Sequence, residues 1–175
     1  MRCQIRVPAT IWAPTRAWLL AVPVERIAYL LARASVWDDP WRGPTVDLLV
    51  GCALLVPDAA LTAQSTVRVE VDPAFTRAVL LGCYETGLSL IDVHTHPFAD
   101  THVSFSGTDV TNMTTTHAEF HREIPQHPAA VAASLVLGRN AVAAAWLDPH
   151  QGRLTPVTRM RLLAQHPTEV PLCHH

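Results

Sequence analysis

The chain has 175 residues, 49% hydrophobic and 16% charged, with a formal net charge of −2 and a pI near 6.5. That length suits one domain spanning 1–175 with a core of its own, and the composition excludes a disordered chain, which could not offset its ordering entropy by burial. The near-neutral balance and scattered arginines give no footprint for a polyanion, so nucleic acid is disfavoured as a partner. No apolar run approaches the roughly 18 residues of a membrane-spanning helix.

The longest apolar run, Leu48 to Pro57, contains Gly51 and Cys52, and the stretch Ala17 to Val24 is broken by Pro23 with no small-residue cleavage site after it. Neither a membrane partner nor a signal peptide is expected. Cys3, Cys52, Cys83 and Cys173 lie far apart, without the paired spacing of a zinc finger or redox motif, and fit a reduced cytoplasm. All 13 basic residues are arginine, for which biased codon usage is the simplest explanation.

Residues 4–12 alternate loosely, as an edge strand that tolerates Pro8 would. A short helix is expected over Thr15 to Val22, after Pro14. The segments Arg26 to Trp37 and Thr45 to Val56 are apolar and β-branched, and the DDPWRGP between them is turn chemistry, so the two read as a long hairpin. Thr66 to Val71 alternates with period two, as a half-buried strand does. Asp72 caps a helix with Pro73 in its first turn, Phe75, Val79, Leu80 and Cys83 at helical spacing, and Gly87 as its stop. Leu88 to Val93 is a short buried strand leading into the sequence HTHP at 94–97, and a loop follows over 98–105. Ser106 then opens a helix to about Arg122. Ala129 to Leu137 and Ala141 to Leu147 form a second hairpin about Gly138, Arg139 and Asn140. Thr158 to Gln165 reads as a terminal helix, and the tail to His175 as frayed.

His94 and His96 lie two apart on an extended segment, so both side chains face one side and can grip one cation. Asp109 is available thirteen residues beyond His96, after a loop long enough to fold back. Three protein ligands would leave a coordination position open, the arrangement of a catalytic zinc. An HxH pair alone is weak in a chain with ten histidines. The full string HTHPFADTHVSFSGTD adds Ser106 and Asp109 as S-x-x-D, and in this the chain resembles the JAB/JAMM (MPN) metallopeptidases, whose signature is H-x-H-P, a loop, then S-x-x-D. An upstream family motif, a glutamate followed by a glycine-spaced aliphatic strand, is similar to ERIAYLLA at 25–32, with Ala28 and Ala32 where glycine is usual. Thr95 replaces the usual serine, and Asp92-Val93 replaces an aromatic pair. The resemblance covers about residues 4–148.

The resemblance implies an α/β domain of the JAMM (cytidine deaminase-like) fold: a curved mixed sheet with a long helix on one face and zinc at the sheet edge. It makes His94, His96 and Asp109 the zinc ligands, Glu25 the general base and later acid, and Ser106 a donor to the oxyanion. Without it, Ser106 and Asp109 read as a capping box, and Glu25 as a solvated residue before a strand. His102 reads as exposed, with a substrate contact or an extra ligand as alternatives. His117 and His121 read as a polar helix face, and Trp37 and Trp41 beside the hairpin turn as packing or a grip on a partner. The implied activity is zinc-dependent isopeptide or peptide hydrolysis that frees a ubiquitin-like protein from a target or trims its C-terminus, in a bacterial ubiquitin-like or anti-phage pathway. The implied partners are that ubiquitin-like protein or its conjugate, with activating and conjugating enzymes of the same pathway as further candidates. A processing peptidase of a sulfur-carrier protein and a non-catalytic scaffold of the same fold are the alternatives.

Overall fold

The computed structural model describes residues 1–41, 43–127 and 129–173. Among them the chain forms a mixed α/β structure with a curled sheet and three helices. Strand β1 (Arg2–Pro8) alternates buried and half-buried residues and runs directly into helix α1 (Ala9–Leu19). Strands β2 (Ile27–Asp39) and β3 (Gly43–Leu55) form the long hairpin, whose turn has Gly43 at φ 73°. Gly51 is the extra residue where the register shifts at Leu31/Ala32. Strands β4 (Leu61–Gln64) and β5 (Val69–Val71) make a small ribbon outside the main sheet. Helix α2 (Pro73–Thr86) is capped by Asp72, whose carboxylate accepts from the Ala74 amide, and ends at left-handed Gly87.

Strand β6 (Ser89–Thr95) follows, then helix α3 (Gly107–Glu123), then β7 (Ala132–Leu137), β8 (Val142–Asp148), β9 (Arg153–Pro156), β10 (Arg159–Leu163), β11 (Thr168–Val170) and β12 (Leu172–Cys173). The main sheet runs β11-β10-β1-β3-β2-β6-β7-β8-β12, with β9 also paired to β8. β1 is parallel to both neighbours, β10 and β3, and β6 is antiparallel to β2 but parallel to β7.

One face of the sheet carries Ile5, Leu48, Ile91, Val93, Leu135 and Trp146 in a single core, which α1 joins through Trp12 and Leu19. On the other face, α2 and α3 cover the β2-β6-β7 half through Val79, Cys83, Phe120 and Ile124, packed with Leu31 and Leu90. The β10-β1-β3 half of that face is polar. There Arg6 pairs with Asp47 and Arg159 with Glu169 at 3.3 Å, and Arg2, Gln4, Trp37, Thr45, Thr158, Arg159 and Arg161 line an open cleft of about 210 Å³.

Several expectations are corrected. β1 is an interior strand, because the chain returns 155 residues later to pair β10 against it, with the Thr158 hydroxyl bonded to the Cys3 carbonyl. α1 begins at Ala9 and contains Pro14, instead of starting after it. Residues 159–163 are a strand and not a helix, since β1 pairs their backbone along its length, where so short a helix would leave most of its terminal N–H and C=O groups unpaired. The segment 66–71 is extended only from Val69. The tail forms β11 and β12 as far as Cys173, and His174 and His175 lie outside the described residues. No helix among the described residues is long and apolar enough to cross a membrane.

Candidate metal centre

The histidines sit at the end of β6, which lies between β2 and β7, so the group stands at the tip of an interior strand and not along an outer edge. Backbone bonds fix that tip. The His96 amide donates to the Leu137 carbonyl at 2.8 Å, the Thr95 amide to the Arg26 carbonyl at 3.1 Å, and the Arg26 amide to the Thr95 hydroxyl at 2.9 Å. The loop after Pro97 is tied to the β7-β8 turn, where the Arg139 amide donates to the Ala99 carbonyl at 2.8 Å. Gly138 is needed in that turn, since a Cβ there would lie 2.9 Å from the same carbonyl oxygen.

Asp109 comes from the first turn of α3. The capping box anticipated from sequence is present: the Asp109 amide donates to the Ser106 hydroxyl oxygen at 3.1 Å, and the Ser106 amide donates to Asp109 Oδ2 at 2.7 Å. The box and the metal reading are compatible, because the same carboxylate faces both histidines. Asp109 Oδ1 lies 3.5 Å from His94 Nε2, and Oδ2 lies 3.4 Å from His96 Nε2. The three ligand atoms fall within 4.8 Å of one another, so this group could hold a metal ion.

The donor set fits a cation on a further observation. His94 is 7% exposed, and its Nε2 is buried without a hydrogen-bond partner, a costly state for an imidazole nitrogen unless something else occupies its lone pair. Burial alone would favour neutral His94, but the Asp109 and Asp92 carboxylates outweigh it and raise its pKa to about 9. Asp109 is partly buried, but the His94 and His96 imidazoles facing it outweigh that and hold it below the usual carboxylate range. The pocket therefore attracts positive charge, and a cation and a proton compete for it.

Glu25 precedes β2, with its amide bonded to the Ser65 carbonyl at 2.8 Å and its carbonyl accepting from the Gln64 side chain at 3.0 Å. It is buried and not solvated, 7% exposed, with Oε1 3.8 Å from His96 Nε2. Burial raises its pKa, the two imidazoles pull it back, and Asp109 adds to the rise. His102 is exposed and stands outside the ligand group. His117, expected on a polar face, is buried instead at 2% exposure, and His121 is half-buried. Asp92, read from sequence only as a departure from the motif, places its Oδ2 3.9 Å from His94 Nδ1, and despite its partial burial the neighbouring imidazoles hold its pKa at about 2. An acid two residues before a candidate ligand histidine on one strand was the available signal.

No protein-family model matches the chain, and no curated protein matches it.

Proposed function

We propose that this protein is a zinc-dependent peptidase of the JAMM type, acting on the peptide or isopeptide bond at the C-terminus of a ubiquitin-like protein. The observation that carries the reading is the convergence of His94, His96 and Asp109 beside a buried carboxylate, Glu25. Two imidazoles and one carboxylate suit zinc and leave a position open. Zinc, when bound, supplies a Lewis acid that polarises the scissile carbonyl and acidifies water.

The chain's own residues do the rest. Glu25 takes a proton from the attacking water as the new C–O bond forms, and delivers it to the amine nitrogen as the C–N bond breaks. Its raised pKa suits both transfers. Ser106 spends its oxygen lone pair on the Asp109 amide and keeps its hydroxyl hydrogen for the oxyanion. The ubiquitin-like substrate follows from the motif resemblance, and the alternative of sulfur-carrier processing would use the same site.

The test begins with metal analysis: about one zinc per chain is expected, strongly reduced in His94→Ala and Asp109→Ala. Full retention in both variants would remove the site assignment. A ubiquitin-like protein encoded beside this chain's gene, joined to a reporter through a peptide or isopeptide bond, then tests the substrate. Cleavage is expected from the zinc-loaded enzyme and not from the zinc-free one. Equal cleavage of unstructured peptides would leave only a general metallopeptidase.

A further inference from the structure

Behind the ligand histidine lies a polar network that the proposed reaction does not use. Asp92 and Ser134 are register partners on the parallel strands β6 and β7, and Ser134 is fully buried. The Ser134 hydroxyl donates to Asp92 Oδ1. Having given its one hydrogen there, Ser134 Oγ accepts from His117 Nε2, 2.9 Å away, which assigns the proton of that buried imidazole to Nε2. His117 Nδ1, which has no partner, is then the bare nitrogen. His117 Nε2 also stands 3.8 Å from Asp92 Oδ1. With Oδ1 engaged in this way, Asp92 turns Oδ2 toward His94 Nδ1 at 3.9 Å, while His94 Nε2 faces Asp109.

We propose that Asp92, Ser134 and His117 are positioning residues that hold the His94 ring with Nδ1–H toward Asp92 and the Nε2 lone pair toward the cation. A carboxylate facing one ring nitrogen favours the other as the one free to ligate, and this carboxylate is restrained by the Ser134 hydroxyl, which His117 bonds in turn. The network acts on a second ligand as well. His117 lies on α3, about two turns beyond Asp109, and its bond to Ser134 fastens α3 to the strand beside β6. Both elements that would supply ligands are thereby tied through one chain of polar groups, of which Ser134 and His117 are buried.

The inference rests on the metal reading, and zinc affinity measured by competition with a chromophoric chelator separates the two. Wild-type protein that takes up no zinc overturns the metal reading and this proposal with it. If wild-type protein binds zinc, Asp92→Ala is expected to weaken binding by about 10- to 100-fold. Ser134→Ala should weaken it in the same direction, and Ser134→Thr, which restores the hydroxyl, should recover most of the loss. A purely structural network would lower the melting temperature of the metal-free variants and leave zinc affinity alone. Affinities of Asp92→Ala and Ser134→Ala within twofold of wild type overturn the proposal. Should Asp92→Ala fail to fold, Asp92→Asn, which keeps the shape and the bond from Ser134 but removes the charge facing His94, decides in its place: unchanged affinity overturns the proposal.

Discussion

Glu25 touches His96 at 3.8 Å without hydrogen-bonding it, so its carboxylate is free to exchange a proton with a substrate group. Glu25→Gln keeps the shape but cannot take that proton. Turnover should fall at least ~10²-fold with zinc content unchanged, and equal activity would place the base elsewhere. The capping role of Ser106 and its proposed donation to the oxyanion can be separated by one substitution. Glycine is a tolerable helix cap, so Ser106→Gly should cost only a few tenths of a kcal/mol, read as a small shift in melting temperature. Its turnover should nevertheless fall by about 10²-fold; unaltered turnover would leave the cap as the whole of its role. At this scale sequence was informative where partners are neighbours in the chain. HTHP and Ser106-Gly-Thr-Asp109 stand out for that reason, whereas Glu25 joins His96 from 71 residues upstream and was legible only through a family motif. The Asp92–Ser134 contact spans 42 residues and left no local pattern at all.

Among the elements, α2 and α3 were readable because their ends carry their own chemistry: Asp72 with Pro73, Gly87 in the left-handed region, and the Ser106 box. α1 was misplaced because prolines mark helix starts and Pro14 is not one. It sits in the sixth position of the helix, where it removes the amide that would bond to the Thr10 carbonyl. Burial of Trp12, Thr15 and Leu19 evidently outweighs that loss. Restoring the amide with Pro14→Ala should raise the melting temperature, by an amount worth on the order of 1 kcal/mol, and a fall would show that the proline's rigidity matters more. β10 was mistaken for a helix because five residues, RMRLL, satisfy either period, and only the edge of β1 decides between them.

For the molecule as a whole, His121 on α3 makes stability depend on pH. Burial lowers the pKa of His121, and its Nε2 has no partner. The folded state therefore keeps this imidazole neutral where the unfolded chain would protonate it. Stability present above the ordinary histidine pKa is lost as pH falls below it, because the unfolded state then binds more protons. Thermal melts between pH 7 and 5 should show a decline that is shallower in His121→Gln; identical slopes would exonerate His121.

The return of β10 to β1 has a consequence in time. During synthesis, β1 and β3 leave the ribosome long before β10, whose last residue is Leu163. At ~5–20 residues per second, the outer edge of β1 waits on the order of ten seconds for its partner. Through that interval Cys3, Ile5 and Val7 belong to a strand with unpaired amides on one side, a template for pairing with other chains. A chain ended at Pro156 should accordingly associate into oligomers or aggregates by light scattering, while the full chain stays dispersed at the same concentration. A dispersed truncated chain would mean that some other segment shelters β1 until its partner arrives.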